Sequence, residues 1–562
     1  MIPADPALPA ALTHLRDKLS SLTLGLAVPG AAEALHVRDE LVAQVDDYLL
    51  PRLEQMDAPL LMVVGGSTGA GKSTLVNSLV GSPVSASGVL RPTTLAPVLV
   101  CHPDDLRFFQ DDRILPGLPR SMGEASSTRG LQLVPDPDVR AGLALLDAPD
   151  IDSVVEANRN LANQLLAAAD SWLFVTTAAR YADAVPWDVL HAARRRGTAI
   201  SVVLNRVPPE AGDQVSDHLR EMLDEQGLGD TPLLVVPETG LQDAMLPAAA
   251  LAPVRDWLDA LAADAESRSE MVRRTLAGAL DSVGPRVRGV GDGVAAQLEA
   301  SNELRGLGDR EYAAALAEVD ATVRSGSLLR GEVLARWQEV VGTGDVMRAV
   351  EARVSWVRDR LRTLLSGAPA ADAELKVAVL TGVDAVVQTA AEGAAERTAQ
   401  GWRQQPAGRA LITADSSLDG ASARLREATA DEVRSWQSFV FDLVSDEGQS
   451  KRTTARLASL GVNGAGLTVM IAVFASTGGL TGSEIVVAGG TSALSQKVLE
   501  AVFGDQAVRT LAERARADLM TRVEGLLDAE RARFTAALTT LAPTDDDLSD
   551  LRAAQQALEH AR

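Results

Sequence analysis

At 562 residues the chain is too long for one compact core, so two or more domains are expected. Its composition, 46% hydrophobic and 23% charged, is that of a folded protein, and a formal net charge of -23 argues against a nucleic-acid partner, because phosphate attraction would need a strong basic patch. One cysteine, Cys101, excludes an intramolecular disulfide and fits a reducing compartment.

The N-terminus, MIPADPALPAALTHL, lacks a basic stretch followed by an apolar core, so no secretory signal is expected there. The segment HVRDELVAQVDDYLLPRLEQM reads as helix ahead of the first strand, and residues 1–55 are assigned to N-terminal helices that join a helical bundle. Over residues 56–260 short β-branched runs alternate with helical patterns: LLMVVGG, APVLVCH, GLALLDAP, SWLFVTTA, AISVVLNRV and PLLVVPE. Each is separated from the next by enough chain for a crossover helix, which predicts an α/β domain: a mostly parallel sheet with helices on both faces. Of the 26 prolines, 22 lie at or before Pro253, so the looped α/β part ends near residue 260 and residues 261–562 are expected to form a long helical stalk. There the apolar residues fall at the helical period. Val354, Val357, Leu361 and Leu364 share one face, and Leu519, Val523, Leu526, Phe534, Leu538 and Leu541 make a second stripe.

Within LLMVVGGSTGAGKSTLVNSL, Gly66, Gly71, Lys72 and Ser73 satisfy G-x-x-x-x-G-K-[ST], after a strand and before a helix. The loop Gly66, Ser67, Thr68, Gly69, Ala70, Gly71, Lys72, Ser73 and Thr74 can curl backbone N–H groups around phosphate oxygens, with Ser73 within reach of Mg²⁺. Only five lysines occur in the chain, which makes a chance match to the motif improbable. Downstream, LALLDAPDID ends an apolar strand in Asp147, where a P-loop protein holds Mg²⁺ through water. Between the two lies GVLRPTTLAP. Its Thr94, or as second choice Thr93, can coordinate Mg²⁺ when the γ-phosphate is present and let go after hydrolysis. The expected metal set is therefore Ser73, Thr94 and Asp147. Six scattered histidines and one cysteine show no zinc spacing.

With these elements in order, the first half resembles the GTPase domain of the TRAFAC class, and the helices on both sides resemble the bacterial dynamin-like proteins. The segments that carry the resemblance are GGSTGAGKS, RPTT, DAPD and NRVP. The resemblance implies that Asn205 and Arg206 bind the base, Arg206 standing where the family has lysine. Pro208 stands where the family's guanine-reading aspartate would be, with Glu210 or Asp213 as replacements. GTP is the substrate preferred on the resemblance, and ATP stays open. Asp150 replaces the glycine of D-x-P-G, and Ile151 follows where Ras-like proteins carry a glutamine. Hydrolysis is then assigned to Lys72, Thr94 and Thr68, slow in one molecule and faster when nucleotide domains pair, so a homodimer or higher oligomer is implied.

Leu457 to Ser483 carries no charge, enough for about 40 Å of helix at 1.5 Å per residue, and a second apolar run follows Glu484. Residues 457–503 read as a glycine-rich hairpin that dips into one leaflet, with Lys451, Arg452 and Arg456 at the headgroups. A hairpin buried in the bundle and a two-pass anchor are the alternatives. The expectation is a dynamin-like GTPase that binds membrane lipids and no nucleic acid, cytoplasmic and peripherally attached to the inner face of the cell membrane. A soluble regulatory GTPase or ATPase acting on a protein is the second reading.

Overall fold

The computed structural model describes residues 7–85, 96–111, 114–115, 118–122, 130–153, 156–325, 369–447, 469–470, 473 and 505–562. Two compact units result: Met1–Leu24, Gly30–Ala295 and Pro543–Arg562 make the first, and Gly25–Pro29 with Ala296–Ala542 the second. This division differs from the boundaries expected at 55 and 260. Most of residues 1–55 fall with the sheet, because side chains from these helices reach into it.

The first unit opens with helices α1 (Ala7–Ser21), α2 (Ala31–Gln44) and α3 (Leu50–Glu54). A π-helical turn, Val45–Leu49, precedes Pro51, which has no N–H to give to the carbonyl four residues back. The strands and helices that follow are β1 (Leu60–Gly66), α4 (Lys72–Val80), β2 (Val98–Cys101), β3 (Arg120–Met122), β4 (Leu131–Pro135), β5 (Leu143–Asp147), α5 (Glu156–Ala167), β6 (Ser171–Thr177), α6 (Ala184–Arg196), β7 (Ala199–Val207), α7 (Gly212–Glu225), β8 (Leu233–Pro237) and α8 (Ala248–Ala263). The strands form one sheet in the order β3-β4-β2-β5-β1-β6-β7-β8. All pairs are parallel except β2 with β5.

Burial follows the two-residue period of a strand covered on both faces. Leu61 and Val63 of β1 join Leu146, Trp172, Phe174 and Leu204 beneath α5, α6 and α7. Leu60, Met62 and Val64 face the other way, with Leu145, Leu173, Val175 and Val203, against α4 and α8. All six strands read from the sequence are present. Between the second and third of them the described residues hold a short 3-10 helix, Pro103–Phe108, with β3 and β4 rather than an α-helix, and β2 runs antiparallel to β5.

Arg52 of α3 is what ties the N-terminal helices to the sheet. Its guanidinium, 6% exposed, donates to Asp170 Oδ2 at 2.6 Å and to the Ala58 and Gln55 carbonyls at 3.1 and 3.2 Å. Asp170 in turn accepts the Leu61 N–H at 2.8 Å, at the root of β1. Glu40 of α2 pairs with Arg196, the last residue of α6, at 3.1 Å.

Helix α9 (Ala265–Ser325) gives residues up to Ala295 to the first unit and the rest to the second. The second unit adds α10 (Pro369–Arg403), α11 (Pro406–Ala414), α12 (Leu425–Glu447) and α13 (Asp505–Thr539), while α14 (Asp545–Ala561) returns to the first. Three buried aromatics organise the helical core. Trp402 Nε1 donates to the Leu304 carbonyl at 2.9 Å, Trp436 Nε1 to that of Ala515 at 2.7 Å, and Phe534 meets Trp402 edge-on at 5.1 Å. The expected stripe Leu519, Val523, Leu526, Phe534 and Leu538 is buried, but Leu541 lies past the helix end and is 36% exposed. The stripe expected at Val354, Val357, Leu361 and Leu364 lies outside the described residues, as does the hairpin 457–503 apart from Val469, Met470 and Val473.

Candidate nucleotide-binding site

Strand register assembles the site. β1 pairs with β5 so that Val64 stands opposite Asp147, and with β6 so that Gly66 stands opposite Val175. The turn from β1 into α4 therefore starts beside Asp147. Two of its positions admit only glycine. Gly66 has φ 147°, and a Cβ there would lie 2.1 Å from the Val175 carbonyl oxygen. Gly71 has φ 95°, and a Cβ would lie 2.7 Å from Asn205 Nδ2. Lys72 is buried along the turn, donating to the Gly66 and Ser67 carbonyls at 2.9 and 3.2 Å. Ser67 is fully buried and its hydroxyl has no partner among the described residues, while the Thr74 carbonyl accepts from the Ser78 hydroxyl at 2.6 Å.

Asp147 is completely buried. Its Oδ2 accepts from the Ser85 hydroxyl at 2.5 Å, and its Oδ1 has no hydrogen-bond partner among the described residues. Burial pushes this carboxyl above the usual range, against the pull of the Ser73 and Ser85 hydroxyls and Lys72. A buried carboxylate oxygen without a partner, beside a serine hydroxyl, is a donor set suited to a hard divalent cation. The third residue expected there, Thr94, and its alternative Thr93 lie outside the described residues. Asn77 ties down the start of that segment, exchanging two 2.8 Å hydrogen bonds with the Ser85 backbone. Among the described residues no group of three or more His, Cys, Asp or Glu side chains could hold a metal.

Beyond β5 the chain turns back over the glycine loop. Asp150 forms an ion pair with Lys72. Asp152 Oδ1 accepts both the Thr68 N–H at 2.6 Å and the Thr68 hydroxyl at 2.7 Å. Arg180, after β6, donates to Asp152 Oδ2 at 2.9 Å, to the Thr68 carbonyl at 2.7 Å and to Asp183 at 2.8 Å. Burial acts to raise the Asp152 carboxyl, but Thr68 and Arg180 together hold it below the usual range. Ile151 is 4% exposed and packs in the sheet core.

At the other side of the loop Asn205 is buried at the end of β7. Its Nδ2 donates to the Ala70 carbonyl at 2.8 Å and its Oδ1 accepts the Arg206 N–H at 2.9 Å. Arg206 has φ 55°, and the β7–β8 register shifts between Leu204 and Val207, so the strand bulges at the residues expected to meet the base. Glu210 and Asp213 are exposed on the following turn and the start of α7. Sequence reasoning missed Ser85, Asn77, Asp152 and Arg180. Only Asp152 had a visible signal, as a second aspartate just after D-A-P-D.

The strand order, the single antiparallel strand beside β5 and the glycine turn into α4 make this an α/β domain built around a phosphate-binding loop, in one chain with a large helical region. No protein-family model matches the chain, and no curated relative matches it. Among solved structures it is similar to Era from Aquifex aeolicus bound to GDP and aluminium fluoride, at 18% identity and a TM-score of 0.23, over 35% of this chain and 56% of Era. The chain thus spans little more than half the length of that protein. It is also similar to two chains from an oligomerised bacterial dynamin pair described as sensing and tethering membranes. One matches at 9% identity and a TM-score of 0.31, over 99% of this chain and 95% of that one. The other matches at 12% and 0.29, over 98% and 82%. Likeness at this level is one of general type, and the functional reading rests on the residues themselves.

Proposed function

We propose that the chain is a dynamin-like GTPase, binding GTP with Mg²⁺, hydrolysing it, and coupling the pairing of nucleotide domains to membrane binding or remodelling. The observation that carries this reading is the meeting at one glycine loop of its own lysine with two groups from distant strands: Lys72 lying along the loop, Asp147 of β5 with its partnerless oxygen, and Asn205 of β7 bound to Ala70. In this reading the loop N–H groups of residues 66–74 and Lys72 hold the phosphates. Ser73 and Asp147, with Thr94, hold Mg²⁺, which when bound spreads the charge of the β- and γ-phosphate oxygens. Ile151 is packed away, so orienting the attacking water falls to Thr68 and to the backbone at Thr94. Asn205 and Arg206 flank the base. The nucleotide domain is the pairing surface of a homodimer or higher oligomer, and residues 457–503 are the lipid contact at the inner face of the cell membrane.

Competition of GTP and ATP for the bound site tests the base. Guanine preference is expected, and tighter binding of ATP would favour an ATPase. Deleting residues 461–496 should remove liposome co-sedimentation, and unchanged binding would remove the lipid contact. One observation favours the second reading, a soluble regulator with the hairpin buried. Val469, Met470 and Val473, the residues of that segment that are described, sit in the helical core with Trp436 and Leu443. Among the described residues no helix is long and apolar enough to cross a membrane.

A further inference from the structure

The segment after β5 brings two carboxylates to the donors that a phosphate would use. Asp150 pairs with the Lys72 ammonium, and Asp152 takes the Thr68 N–H and hydroxyl at 2.6 and 2.7 Å. These are a lysine and a backbone N–H of the same glycine loop, the two donor types with which such loops grip polyphosphate. The carboxylates are not there by default. Arg180 anchors Asp152 from its far side while also gripping the Thr68 carbonyl, and Arg180 is itself steadied by Asp183. The Ile151 N–H, between the two aspartates, faces the Gly66 carbonyl at 3.5 Å. The peptide thus runs along the loop, with an acidic side chain reaching its donors from either side of Ile151.

We infer that Asp150 and Asp152 are a built-in competitor for the phosphates, so that they set the affinity of the site and its preference for the more highly charged triphosphate. The inference rests on the nucleotide-binding reading above. A polyphosphate reaching Lys72 and the Thr68 N–H must displace both carboxylates, since one donor hydrogen cannot serve two anions and like charges at hydrogen-bond range repel. Binding therefore includes expelling residues 150–152, and expulsion is the event that reports an occupied site to the rest of the chain. Lys72 reaches the outer phosphates, so Asp150 competes most directly with the group that a diphosphate lacks. Arg180 is a positioning residue. It holds Asp152 in the donor site, and once Asp152 leaves it still grips the Thr68 carbonyl beside the phosphates.

The test is calorimetric binding of GTP, ATP, GDP and inorganic tripolyphosphate, each with Mg²⁺, to the full chain and to Asp150→Asn and Asp152→Asn. Removing one competing charged hydrogen bond should tighten triphosphate binding about 10- to 100-fold, and tripolyphosphate in step, with a smaller gain for GDP. Arg180→Gln should tighten binding in the same direction by loosening Asp152. Wild-type chain that binds triphosphate while both Asn variants bind no more tightly overturns the competitor and leaves the nucleotide site standing. Absence of binding by the wild type and both variants overturns the nucleotide reading and the competitor with it. The unmutated chain supplies an independent readout through carbodiimide labelling of Asp150 and Asp152, quantified by peptide mass spectrometry. Labelling of both should rise when triphosphate is added, and labelling that stays level or falls overturns the inference.

Discussion

Replacing Arg52 with alanine tests whether the N-terminal helices are part of the nucleotide domain's framework. The pair it forms with Asp170 is buried at both ends, 6% and 3% exposed, with a separation of 2.6 Å. Burial already pushes the Asp170 carboxyl above its usual range, with Arg52 as the strongest pull against it. Without the guanidinium, Asp170 keeps the Leu61 N–H but loses its counter-charge, and the carbonyls of Gln55, Ala58 and Pro59 lose a shared donor. Breaking a buried pair from one side costs about 3–5 kcal/mol. For a unit of this size that corresponds to roughly a 5–8 °C fall in the melting temperature of the transition. Differential scanning calorimetry reads it directly. The double variant Arg52→Met with Asp170→Asn should recover most of the loss, because neither ion is then left alone. A fall of less than about 2 °C in Arg52→Ala, or no recovery in the double variant, would refute the clasp.

Gly71→Ala places a side chain at φ 95° and 2.7 Å from Asn205 Nδ2. Left-handed strain together with the lost Asn205–Ala70 hydrogen bond should weaken triphosphate binding about 30- to 100-fold, read by calorimetry, and an unchanged affinity would detach Asn205 from the site. Asp47 offers a pH test. Burial, with Asp46 beside it, pushes its carboxyl up to about 6, against Arg196 and Gln164. A raised pKa gives stability that is fully present below the unfolded value near about 4 and is lost as pH climbs through about 6. Asp47→Asn should therefore be near neutral at about pH 4 and more stable than wild type by roughly 1–3 kcal/mol at about pH 7.5. Urea unfolding at the two pH values measures it, and equal differences at both would contradict the assignment. Burial likewise pushes the Cys101 thiol up to about 12, so iodoacetamide should label the folded chain only after denaturant is added.

What could be read from the amino acids were features local in sequence. The glycine loop declares itself within nine residues, and the six strands with continuous apolar runs announce their own ends. β3 and β4 escaped because three and five residues rich in polar neighbours give no clear alternation. Asp150 was visible as a departure from a motif, but its partner was not, since the Lys72 pairing spans 78 positions. The Arg52–Asp170 pair spans 118 and Arg180–Asp152 spans 28, with nothing local to mark either. The same limit explains the division at 55. A helical period predicts helix, but which body the helix packs on is decided by residues such as Arg52 that the period does not weigh.

The central claim is that Lys72 and its loop form a working triphosphate site. Mg²⁺-dependent phosphate release from GTP, followed over a range of protein concentration for the full chain and for Lys72→Ala, tests it most directly. The account predicts release by the unaltered chain, rising per molecule as concentration rises, and none above background for Lys72→Ala. Equal rates for the two proteins would contradict it.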